Sequence, residues 1–183
     1  MPGPLVGNQA RHYRGAMREL IQHSLLYGVL LSGVLTVVIL GSLRYNPEIW
    51  LHRAPKPVLE RYGQARNPRS ERQRMGVALL FLVVDLAVPI LGLFHFEAAT
   101  GHQLSYREAF LSAYLMFFVF NLVDLLLIDW GVLVLLSPRW TRLPGTEEEP
   151  SHQTYGMHLR GFVSGLGLTL LPSALLATLS FIR

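Results

Sequence analysis

Charged and strongly polar positions are nearly missing from four stretches of the chain, roughly Leu20 to Leu43, Met75 to Phe94, Ala109 to Leu136 and Leu159 to Ile182. At about 1.5 Å per helical residue, each is long enough to cross a hydrocarbon core of about 30 Å. The pattern predicts an all-α, polytopic membrane protein. Its four transmembrane helices form a single bundle domain, with a basic cytoplasmic loop between the first two. The first apolar stretch follows about twenty mostly polar residues, is longer than a signal-peptide core and lacks a small-residue exit, so it is expected to remain as a helix.

Composition agrees with this class. Of 183 residues 51% are hydrophobic and 15% charged, and the mean hydropathy is +0.34, too apolar for an ordinary water-soluble domain. The chain has no cysteine, which excludes disulfides, thiolate nucleophiles and cysteine metal sites. The net charge of +4 resides in basic residues that flank the apolar stretches, which points to anionic lipid headgroups as partners and away from nucleic acid.

Those charges also predict orientation. The first connection carries Arg44, Arg53, Lys56, Arg61, Arg66, Arg69, Arg72 and Arg74, and the third adds Arg139, Arg142 and Arg160. The opposite side holds Arg11, Arg14, Arg18, Arg107 and Arg183, so both of these loops are expected in the cytoplasm and both termini outside. Pro47, Pro55, Pro57 and Pro68 rule out one long helix across the first loop, leaving room for a short interfacial helix over Val58 to Gln64. Tyr45 and Trp50 are expected at headgroup level.

The pattern is violated in "FNLVDLLLIDW", Phe120 to Trp130, where Asn121, Asp124 and Asp129 interrupt an apolar run. Counted from Ser137, Asp129 lies about 12 Å deep and Asp124 about 20 Å; Asp85, counted from Met75, lies about 15 Å deep in the preceding stretch. Three acids on adjacent antiparallel helices thus share one layer. An ionised carboxylate there costs at least about 2.5 to 3.5 kcal/mol, so these side chains are expected to face the bundle interior or a wet cavity. At about 100° per residue Asn121 and Asp124 share a face, whereas Asp129 is turned about 140° from Asp124. The expected arrangement sends Asn121 and Asp124 toward Asp85, and Asp129 toward His158 and Arg160 at the start of the last helix. The acids then either are protonated or hold a cation, a ligand amine or water. Simple interhelical hydrogen bonding by protonated Asp and Asn is the other reading.

Three further features bear on this picture. Pro89, four residues after Asp85, removes the helical donor to the Asp85 carbonyl and is expected to kink its helix. Gly161 and Gly165 form a G-x-x-x-G that suits close packing within the bundle or a homo-oligomer face. His23, His95 and His102 are expected as interfacial histidines near the outer boundary, apart from the acids and without metal-ligand spacing among themselves. No nucleotide-binding loop, zinc-protease motif or serine-hydrolase elbow is present.

"NLVDLLLIDW", followed by "SPRW", "LPGTE" and "YGMHLRGF", resembles a family of small bacterial integral membrane proteins. These share an N-x-x-D-L-L-x-x-D-W helix, a P-R-W exit, a P-G-T-E turn and a Tyr and His leading into the final helix. "YNPEIWLHRAPKPV" is similar to their N-P-x-x-W-L loop, with a departure at His52-Arg53-Ala54. The resemblance implies a shared fold in the bacterial inner membrane and supplies no activity.

Together these observations predict an acidic intramembrane site opening to the cytoplasm. Asp85, Asn121, Asp124, Glu147, Tyr155 and Arg160 are expected to bind the ligand, and Asp129 and His158 to transfer protons. The site would bind, transport or transform an ion or a small hydrophobic, lipidic or cationic molecule. The alternative is a non-catalytic accessory subunit whose polar residues bind a partner's helices.

Overall fold

A computed structural model describes residues 4–53, 60, 67–143 and 155–182. They build a helical bundle, and among them there is no strand. Helix α1 runs over Pro4–Tyr45, beginning well before the first apolar stretch. A 3-10 turn, Pro47–Arg53, folds back under the bundle. Asn46 fastens this corner: its side-chain amide donates to Ser70 Oγ at 3.1 Å and to Gln73 Oε1 at 2.8 Å, and its Oδ1 accepts from the Glu48 amide at 3.0 Å.

Helix α2, Pro68–Thr100, starts where Asn67 caps the Arg69 amide and Pro68 occupies the first turn, and ends where Gly101 takes φ +66° and donates to the Glu97 carbonyl. It stays helical through the buried Pro89. Helix α3, Tyr106–Val123, opens on a capping box between Ser105 and Glu108. It continues without a break into a π-helix, Asp124–Leu136, which closes at Ser137 with φ +36° and a bond from the Ser137 amide to the Val132 carbonyl. A 3-10 turn, Arg139–Thr141, follows. Two collinear-in-sequence pieces, α4 (Tyr155–Leu168) and α5 (Leu170–Ile182), stand where one last helix was expected. The break at Thr169 falls where Pro172 lacks the N–H that would bond the Leu168 carbonyl. The possible helix over Val58 to Gln64 lies outside the described residues, Glu60 apart.

Four segments, Arg14–Tyr45, Pro68–Thr100, Tyr106–Leu136 and Tyr155–Ser180, are long and apolar enough to cross a membrane. Helix α3 is the centre, packed on α1 and α5, with α2 against α1. The α1–α3 seam is close because Gly28 lies against Met116 and Val119, where a Cβ would come within 2.8 Å of the Val119 Cβ. Ser24 and Ser112 share a buried 2.7 Å hydrogen bond across the same seam. Leu31, Leu35, Ala113, Phe117, Leu176 and Ala177 are shut off from the surface, whereas Leu26, Val37, Leu79, Leu135 and Leu171 face outward. An outer face so rich in aliphatic side chains matches hydrocarbon and would be costly in water.

His23 and His95 meet across the α1–α2 seam. Their rings lie 5.3 Å apart, with Tyr27 Oη 2.9 Å from His95 Nδ1 and His23 Nε2 2.9 Å from the Gly92 carbonyl. Sixty-nine residues of chain separate His23 from Gly92, so helix pairing and not local spacing creates this cluster.

Candidate functional site

The site begins with the change of helical type at Asp124. In an α-helix, residues five apart are turned well away from each other; with i→i+5 hydrogen bonds the fifth residue returns above the first. Asp124 and Asp129 therefore come onto one side of the π-helix and line the same cavity, which corrects the expectation that one face could not hold both. Asn121, in the last turn of α3, lines it too. Its amide nitrogen donates to the Phe117 carbonyl at 2.8 Å, and its Oδ1 points at Gly165 so closely that a Cβ there would collide with it. Gly165 is thus small because α4 passes over a polar side chain, and Gly161 borders the same space.

The cavity holds about 640 Å³. Asp85 enters from α2, and Phe81, Phe120, Phe162, Leu125, Ile128 and Leu168 supply apolar wall. Its loop end is formed by Trp50, Leu51, Thr141 and Leu143, on the side of the first and third connections. Asp85 is half-buried and has no hydrogen bond or ion pair with a described residue.

His158, in the first turns of α4, is 9% exposed. Its Nδ1 lies 2.9 Å from Asp129 Oδ2. With Asp129 ionised, this contact assigns the proton to Nδ1, and the lone pair of the neutral ring then sits on Nε2. Nε2 is buried and has no hydrogen-bond partner among the described residues. His158 lines the cavity, and Asp129 would stabilise positive charge that develops on its ring.

The other expected residues fall elsewhere. Tyr155 is exposed and meets the neighbouring Trp130 edge-on, with ring centroids 5.4 Å apart, so it supports the π-helix from outside the cavity. Arg160 is exposed and does not border it: two residues beyond His158, it is turned about 200° around α4. Glu147 lies outside the described residues. Trp50, expected as a headgroup anchor, instead donates its indole N–H to Ser42 Oγ at 2.9 Å and closes the cavity's loop end. Ser164 and Thr169 also line the space; in the sequence their only signal was small polar character inside an apolar helix. Among the described residues no group of three or more His, Asp or Glu is disposed to hold a metal ion.

Comparison with protein-family models, with curated proteins and with solved structures finds no match to this chain.

Proposed function

We propose that this chain is a multi-pass protein of the bacterial cytoplasmic membrane whose internal cavity binds, and transports or transforms, a small hydrophobic or cationic ligand or an ion. Asp129 and His158 exchange a proton with the occupant. The observation that carries this reading is the convergence on one ligand-sized cavity of Asp85, Asn121, Asp124 and the Asp129–His158 pair. A subunit that used these side chains to bind partner helices would turn them outward. The basic first loop and the arginines of the third support a cytoplasmic position for the loop end of the cavity.

Thermal melts of the purified protein across pH and against sodium, potassium and lipidic amines test the reading. A ligand present at about 100 times its Kd stabilises the folded state by about 2.7 kcal/mol, enough to move a melt by several degrees. Asp124→Asn should fold and extract like the parent yet lose that gain, because it keeps shape and hydrogen bonding but not charge. Identical pH and ligand dependence in parent and variant would refute a functional carboxylate and favour the accessory-subunit reading.

A further inference from the structure

At the end of the bundle remote from the cavity's loop end, α1 and α2 meet through titratable rings. His23 Nε2 lies 2.9 Å from the Gly92 carbonyl, which only accepts, so that nitrogen carries a hydrogen and Nδ1 is left to take up a proton. His95 Nδ1 is 2.9 Å from Tyr27 Oη, and whichever atom donates, a proton added to His95 leaves Nδ1 donating to the phenol oxygen. Either ring can thus charge and keep its contact. Both together conflict: with centroids 5.3 Å apart on different helices, two imidazolium rings repel across the seam. They are held this close because Tyr27 lies over Gly92, where a Cβ would come within 2.9 Å of the Tyr27 ring, and because Phe96 meets His23 edge-on at 5.4 Å.

The surroundings do not offset a double charge. Among the described residues neither imidazole forms an ion pair. On α1, Arg18 and Glu19 flank the turn before His23 and are exposed; on α2, Glu97 is engaged, its Oε1 accepting from the Leu104 amide at 3.0 Å. The α3 side chains at this corner include Ser112 beside Ser24 and Met116 beside Gly92, which do not titrate, while Glu108 binds Ser105 and His102. Helix α5 has no titratable side chain over Leu170–Ile182. Six residues before His95, the buried Pro89 denies the Asp85 carbonyl its helical donor, so α2 bends most easily there. On the other side of that point α2 carries Phe81 and Asp85 of the cavity wall.

We infer that His23 and His95 form a proton-operated joint: the α1–α2 seam stays closed while at most one ring is charged and opens at this end when both are, with α2 bending at Pro89. Histidine suits the task because its charge changes between about pH 5 and pH 8. The joint links the pH on this side of the membrane to the helix that supplies Asp85. It stands on the packing of α1 and α2 and does not depend on the cavity being a ligand site.

The experiment uses the full chain in phosphatidylcholine nanodiscs, spin-labelled at cysteine pairs for electron–electron distance measurement. Gln22→Cys/Ala98→Cys spans the seam beside the histidines, and Val37→Cys/Leu82→Cys spans it beyond Pro89, all four positions being exposed. Between about pH 8 and about pH 5 the first distance should lengthen by several ångströms while the second stays fixed. His23→Gln and His95→Gln keep a hydrogen-bonding side chain but cannot charge, so each should abolish the change; either suffices should the other fail to fold. No lengthening in the parent, or full lengthening in a folded Gln variant, would overturn the joint and leave any pH response to the carboxylates. Equal lengthening of both pairs would mean that the helices part as rigid rods, which overturns the hinge. Pro89→Ala should at least halve the movement of the first pair, and an unchanged movement in that variant overturns the hinge as well.

Discussion

At the scale of single residues, the informative positions are those where chemistry conflicts with surroundings. Asp85, Asn121, Asp124 and Asp129 were legible in the sequence because polar groups in an apolar run must find a cavity or one another, and the structure draws them around one space. His158 was legible by its depth beside Asp129. Arg160 was misjudged because closeness in sequence is not closeness on a helix, where two residues turn the side chain to the far side. Gly165 was legible as a small residue but not for its partner: it makes room for Asn121 Oδ1, a contact between segments forty-four residues apart, and spacing alone cannot distinguish that from helix dimerisation. Gly165→Ala should destabilise the fold by about 1 to 3 kcal/mol, and Asn121→Ala in the same chain should recover at least about 1 kcal/mol of it. Additive losses in chemical denaturation would show that the two residues do not conflict.

At the scale of elements, length and hydropathy locate the helices, yet helical type and phase remain hidden when nearly every position is apolar. Over Asp124–Leu136 no polar stripe marks a period, so the ordinary 100° per residue was the only available rule, and it misplaced Asp129. The π-helix makes an unusual forecast. Deleting Leu127, an exposed leucine between the two acids, converts their spacing from five residues to four, which an ordinary α-helix also holds on one face. The deletion should thus keep His158 in its Nδ1-protonated form, observed through the imidazole ¹⁵N shifts, whereas inserting an alanine after Leu127 should abolish that signature. The opposite outcome would show that the winding does not align the pair. The break at Thr169 was equally hidden, since Pro172 signals a lost hydrogen bond without saying whether the helix bends or divides.

For the whole molecule, the four-segment all-helical architecture could be read directly from the apolar runs, because a backbone without water must satisfy its own hydrogen bonds. Which segments enclose the cavity could not, as it depends on α3 taking the central position between α1 and α5. The proposed orientation has its own test. Arg72→Cys, exposed near the start of α2 in a chain with no other cysteine, should resist a membrane-impermeant maleimide in intact cells and react after permeabilisation. Rapid labelling of intact cells would place the loop end of the cavity outside.

Helix α1 has 42 residues, a contour of about 63 Å, roughly twice the thickness of the hydrocarbon it is suited to cross. The part before Leu20 adds about 24 Å of continuous helix and carries Arg11, Arg14 and Arg18. It leaves the bundle at the end remote from Trp50, Thr141 and the cavity's loop end. For imaging, this is a handle: a small folded marker joined in helical register to α1 would ride on the same rod as Ile39 and Leu43 in the cavity wall. It would give a particle of 20.6 kDa an asymmetric landmark outside the detergent belt without standing over the loop end of the cavity.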